Sequence, residues 1–327
     1  MASVAQRADA SRPRSPSPEL PDAAQPSPRA DAQDPSPAWP YHRRTITHIP
    51  VPGDWQRKLH PHWPESAFVV PNPAPEGYIY FVTKGDYVRS GSTALVERLP
   101  SGDIVKTPTT NPYWPVEEER ARQGMEHEHD VYVLLGSNSF IPKLIDRDSV
   151  AKTLVIEDLP NGDLEMYVRE HRDVDAGTRR KWALQASQAL QSLHAAVVVH
   201  QDVTPRNFLL DKHLDLRICD FAGSSYPGHT IWTVAPGARY QSHIWARNYN
   251  PAFADDIFSL GSVLYFIAAG EEPYSDLEEE EVERRFENRD FPASDQLDSD
   301  TVIQGCWNGR LSTTEEVVDA LIQFQGD

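Results

Sequence analysis

His200-Gln201-Asp202-Val203-Thr204-Pro205-Arg206-Asn207-Phe208-Leu209-Leu210 is followed, one short turn later, by Leu216-Arg217-Ile218-Cys219-Asp220-Phe221-Ala222-Gly223. The runs Phe208-Leu209-Leu210 and Leu216-Arg217-Ile218 flank the turn Asp211-Lys212-His213 and read as two short paired strands. Pairing them brings the flanking loops together. Asp202, Asn207 five residues later and Asp220 on the next loop then share a small volume. Their oxygens are hard donors suited to a divalent cation between phosphates, with one Asp left to position or accept a hydroxyl proton.

Moving upstream, Gly77-Tyr78-Ile79-Tyr80-Phe81-Val82, Ala94-Leu95-Val96-Glu97-Arg98-Leu99 and Asp103-Ile104-Val105-Lys106 read as strands, the last two joined by the turn Pro100-Ser101-Gly102-Asp103. A helix is predicted from Val116 to Leu135, with Pro115 at its start and Gly136 at its end. The strand Thr153-Leu154-Val155-Ile156 runs into a Pro-Asn-Gly loop, Glu157 to Gly162. Further on, Trp182, Ala186, Leu190 and Leu193 form one stripe of a helix over 178–195. Ile257 to Ala269 is apolar on all sides, as in the centre of a helical lobe. Strands first and helices afterwards predict an α+β protein with a small β-rich lobe and a larger α-rich one.

Composition narrows the function. The chain has 327 residues and a formal net charge of −18, which opposes binding to nucleic acid or to an anionic membrane surface. Two distant cysteines, Cys219 and Cys306, make no disulfide framework and point to a reducing compartment, cytoplasmic or nuclear. The N-terminus has no apolar signal region, and the Ile257–Ala269 run is too short to span a bilayer. Sixteen of the 28 prolines precede residue 76, so residues 1–45 are expected to be disordered, while Trp39 to Pro75 carries aromatics that could dock on the domain. Ser-Pro pairs at Ser15, Ser17, Ser27 and Ser36 read equally as proline-directed phosphorylation sites or as plain low complexity.

In this order and spacing the motifs resemble those of the eukaryotic-type protein kinase superfamily, and the overall wording is similar to kinase-like proteins of filamentous fungi. The resemblance covers most of the chain after residue 77. It implies a two-lobed protein-kinase-like fold: a largely disordered Pro/Ser-rich tail at 1–76, an N-lobe at 77–159 and a C-lobe at 160–327. It implies ATP and Mg²⁺ as cofactors, with Asp202 as catalytic base, Asn207 and Asp220 as metal ligands, and Lys106 on the α/β-phosphates. Glu128 is the implied partner of Lys106, with Glu126 as the rival. Gly91, Ser92, Thr93, Ala94 and Val96 correspond to the phosphate-covering loop, and Glu157 and Leu159 to the hinge that binds adenine. Asp256 to Gly261 resembles the start of the central C-lobe helix, its Asp both capping the helix and bracing the catalytic loop. The implied activity is transfer of the γ-phosphate to Ser/Thr hydroxyls of proteins by a monomeric chain.

Departures from the family pattern keep other readings open. The loop Arg89-Ser90-Gly91-Ser92-Thr93-Ala94 retains only its middle glycine, Gln201 replaces an arginine, and Thr204 stands where a phosphate-binding lysine is usual. Arg206 occupies a place from which it could restore that charge. Ala222 replaces the glycine of the magnesium loop, and no Ala-Pro-Glu follows. The alternatives are a pseudokinase used as a nucleotide-binding or scaffolding module, and a small-molecule kinase of the aminoglycoside or choline type.

Overall fold

Alternating apolar residues and charged edges build the first half of the molecule. The computed structural model describes residues 46–91, 93–229, 235–246 and 249–325. Its main sheet has five antiparallel strands in the order β3-β4-β5-β7-β6: β3 is Asp86–Ser90, β4 Ala94–Arg98, β5 Ile104–Pro108, β6 Leu144–Asp148 and β7 Thr153–Ile156. Two earlier strands, β1 (Thr47–Val51) and β2 (Tyr78–Val82), pair in parallel as a separate two-stranded sheet. Between them lies α1 (Asp54–Leu59). Residues 46–76, assigned above to the tail, thus include a strand and a helix, and Val51 is buried. Residues 1–45, with the Ser-Pro pairs, lie outside the described residues.

The helix α2 (Pro115–Leu135) packs on β5 and β7. Pro115 takes the first helical position, where a missing N–H costs nothing, and Gly136 ends the helix at φ 56° with its N–H on the Tyr132 carbonyl. Its buried residues are Ala121, Gly124, Met125, His127, Glu128, Val131 and Tyr132, so a carboxylate sits in a mostly apolar row. His127 of α2 contacts the Ser224 carbonyl, and Asp130 accepts from the Tyr226 hydroxyl at 3.3 Å. These contacts tie α2 to the segment just after Asp220.

The second half is helical: α3 (Leu164–Glu170), α4 (Ala176–Ala195), α5 (Phe253–Ala269), α6 (Glu279–Glu287), α7 (Asp300–Trp307) and α8 (Thr314–Gln325). The only strands there among the described residues are β8 (Phe208–Leu210) and β9 (Leu216–Ile218), paired antiparallel around the turn. Asp163 and Asp175 cap α3 and α4, accepting from the Met166 and Thr178 amides at 2.9 and 3.0 Å. Helix α5 is buried almost throughout and packs on α4 and α7. Trp182, Leu190, Phe208, Phe221 and Phe266 are fully buried, and the core continues into Val96, Ile104 and Ile156 of the main sheet. Burying each such side chain contributes about 1.5–3 kcal/mol.

The β-rich first part and the helical second part agree with the expected α+β, two-lobed architecture. Among the described residues, no helix is long and apolar enough to cross a membrane.

Candidate active site

Lys106 lies in the middle of β5, paired with Val96 on one side and Leu154 on the other. Its Nζ donates to Glu128 at 2.8 Å (Oε1) and 2.6 Å (Oε2), and to Asp220 Oδ1 at 2.9 Å. Glu126, the rival partner, faces elsewhere: it contacts Lys152 and Arg147, the latter at 3.8 Å. Burial opposes the Lys106 charge, but the carboxylates of Asp220 and Glu128 outweigh it and hold the ammonium above its usual range. The same ammonium pulls the Asp220 carboxyl down to about 2, keeping it ionised at neutral pH.

The loop before β8 is built around one carboxylate. Asp256, on α5, accepts the backbone N–H of His200 at 2.7 Å and of Gln201 at 2.8 Å, and meets His194 Nε2 at 3.0 Å. Capping of α5 falls to its neighbour: Asp255 accepts the Ala252 N–H at 2.8 Å. The two jobs expected of Asp256 are therefore divided between adjacent residues. His200 is fully buried. Its Nδ1 accepts from the Asp202 amide at 3.2 Å, so its Nε2 carries the proton donated to the Cys219 carbonyl at 3.0 Å. The His200 ring packs edge-on against Phe221, and Phe221 against Tyr132 of α2, linking the loop to the helix that carries Glu128.

From this base, Asp202 and Asn207 meet directly. Asn207 Nδ2 donates to both the carbonyl and the Oδ2 of Asp202, each at 2.8 Å. With its NH₂ committed, the Asn207 amide has its oxygen left to offer. The Cys219 amide donates to the Asn207 carbonyl at 2.9 Å, which brings Asp220 alongside. Asp220 adopts a left-handed backbone, φ 71°, and its side chain is 37% exposed, enough to reach a ligand. The chemistry of this donor set, an amide oxygen and an ionised carboxylate, fits a hard divalent cation. Among the described residues, no cluster of three or more His, Cys, Asp or Glu side chains could hold a metal by itself. A cation here would share its coordination with the oxygens of a bound phosphate.

A cleft of about 110 Å³ opens beside these groups. Lys106, Glu128, Val96, Glu157, Leu159 and Asp220 all line it. Gly91 closes the β3–β4 turn, its N–H on the Ala94 carbonyl at 2.8 Å, and Thr93 and Ala94 follow. Ser92 lies outside the described residues. Arg206 is not brought into this cleft. Its side chain is 62% exposed, 3.9 Å from Glu165, and it lines a neighbouring groove with Thr204, Arg239 and Glu272. Arg89 and Cys219 also line the cleft. Arg89 comes from β3, and Cys219 is an inert wall whose thiol burial pushes up to about 12.

Comparison with known sequences agrees with this geometry. The family described as protein kinase domain matches residues 118–320, more than half of the chain. Serine/threonine-protein kinase PDK1 of Cryptococcus neoformans is 29% identical over 136 residues, 39% of this chain and 11% of that protein. CBL-interacting serine/threonine-protein kinase 7 of Arabidopsis thaliana is 31% identical over 144 residues, 42% of this chain and 33% of that protein. Serine/threonine-protein kinase ppk21 of Schizosaccharomyces pombe is 23% identical over 233 residues, 64% of this chain and 41% of that protein. The chain thus spans at most about two fifths of the length of these relatives.

Proposed function

The chain belongs to the protein kinase domain family, and on that premise we propose that it transfers the γ-phosphate of ATP to Ser or Thr hydroxyls of proteins. The observation that carries this reading is the convergence of Lys106, Glu128 and Asp220 on one ammonium, with the Asp202–Asn207 pair on the adjoining loop. A family member uses ATP and a divalent metal in general; we assign magnesium, held by the Asn207 oxygen and the Asp220 carboxylate. When bound, the metal neutralises phosphate charge.

The protein's own groups do the rest. Glu128 fixes the Lys106 ammonium so that it can hold the α/β-phosphates. Glu157 and Leu159 border the adenine end of the cleft. Asp202, held in orientation by Asn207, aligns the acceptor hydroxyl and takes its proton. Arg206 lines the groove that starts two residues beyond Asp202, and it serves the substrate side of the reaction by offsetting phosphoryl charge. Relatives named as serine/threonine-protein kinases favour a protein acceptor over an amino alcohol. The retained Lys106, Glu128, Asp202, Asn207 and Asp220 favour an active enzyme over the pseudokinase alternative. We place the division between the lobes near Leu159, and read the chain as a monomeric, cytoplasmic or nuclear protein with no nucleic-acid partner.

The test is magnesium-dependent transfer of labelled γ-phosphate by the purified chain to a generic protein acceptor, beside Asp202→Ala. Transfer that disappears in the variant supports the reading. Nucleotide binding with no transfer by either protein overturns it.

A further inference from the structure

We propose that Arg89 is a phosphate-binding residue of the nucleotide cleft, a second cation that takes over, by charge, work otherwise left to backbone amides of the β3–β4 turn. This rests on the reading of the cleft as a nucleotide site.

Register carries the inference. Strands β3 and β4 pair Asp86 with Arg98 and Tyr87 with Glu97, then skip Val88 and pair Arg89 with Val96. Simple alternation would set Val88 opposite Val96 and turn Arg89 toward Leu95 on the other face. One extra residue in β3 reverses that, since a bulge re-aims the side chains after it. Val96 in turn pairs with Lys106, and Lys106 with Leu154. Arg89, Val96 and Lys106 therefore form one cross-strand row on the face that carries the Lys106 contacts to Glu128 and Asp220. With strands about 4.8 Å apart, two cations two strands apart are separated by roughly 10 Å at the backbone, a span that a di- or triphosphate can bridge.

Burial and charge agree with that placement. Arg89 is half-buried and lines the cleft with Lys106, Glu128, Cys219 and Asp220. A guanidinium at this place presents a planar fork of donors suited to phosphate oxygens, at a position where a glycine would offer only its amide.

The test is calorimetric titration of the full chain, Arg89→Ala and Arg89→Lys with ATP, ADP and adenosine in magnesium buffer, with thermal unfolding as the fold control. Arg89→Ala should weaken ATP and ADP by on the order of tenfold, leave adenosine within about twofold, and be partly rescued by Arg89→Lys, which restores the charge without the fork. Equal or tighter ATP binding by Arg89→Ala, with parent binding intact, overturns the role of Arg89 alone. Equal loss for ATP and adenosine does the same, because it marks a change in cleft shape. A parent chain that binds none of the three overturns the nucleotide reading, and Arg89 with it.

Discussion

Lys106 and Glu128 form a buried pair in which one ammonium reaches both carboxylate oxygens, with side-chain exposures of 9% and 0%. Neither charge has water to fall back on. Glu128→Ala should therefore cost about 3–5 kcal/mol of unfolding free energy, since it leaves a buried charge with one partner fewer. Urea unfolding measures it. A loss below about 1 kcal/mol would mean that solvent reaches the pair.

Asp202 makes fewer structural contacts than its position suggests. Beyond the Asn207 bond to its carboxylate, its hydrogen bonds among the described residues are through its backbone. Asp202→Ala should lower kcat for phosphate transfer by about 10²–10⁴-fold while changing stability by only about 1 kcal/mol. A matched loss of both quantities would make Asp202 a structural residue.

Asp220 supplies a pH signature. Its carboxyl sits at about 2 in the folded chain against the usual 3.8, a depressed acid, so its contribution is present above about pH 4 and is lost as the pH falls through about 2. Asp220→Asn should be less stable than the parent near pH 6, with the gap narrowing toward about pH 3. Urea unfolding at both values decides it, and a gap independent of pH would show that the charge is not what stabilises.

Gly261 is fixed by packing. A Cβ there would lie 2.8 Å from Cys306 Cβ and 3.1 Å from Trp307 Cδ1, while the Trp307 indole is pinned by its bond to Ser262 Oγ at 3.0 Å. Gly261→Ala should destabilise by about 1–3 kcal/mol, seen as a lower Tm, with nucleotide binding retained below the transition. An unchanged Tm would mean that α7 can withdraw freely from α5.

Much of this was legible in the sequence, for local reasons. Phe208–Leu210, Leu216–Ile218 and Thr153–Ile156 coincide with the expected strands because each is a short apolar run bounded by turn residues. The Lys106, Asp202, Asn207 and Asp220 positions came from the resemblance to the protein kinases that the order of the motifs carries. What stayed hidden needed three dimensions. β3 and β6 are edge strands rich in charge, Asp-Tyr-Val-Arg-Ser and Leu-Ile-Asp-Arg-Asp, and lack the apolar alternation that marks a half-buried strand. Asp255 and Asp256 look alike in sequence, but roughly 100° of helical rotation aims one at the helix start and the other at the loop. The facing of Arg89 depends on a single skipped residue, which no periodicity reveals. Glu126 and Glu128 were separated only by seeing which of them α2 buries.

The parallel pairing of β1 with β2 bears on where the molecule can be cut. Tyr78-Ile79-Tyr80-Phe81-Val82 is aromatic and β-branched throughout, and residues 47–51 occupy its backbone along its length. A truncation at the first residue of β2 would strip that cover and leave a flat, uncharged ribbon with free N–H and C=O groups, the template on which chains stack into aggregates. The short N-terminal strand is thus a guard of solubility, and the smallest fragment that keeps it begins before Thr47, well ahead of the first residue that touches the cleft.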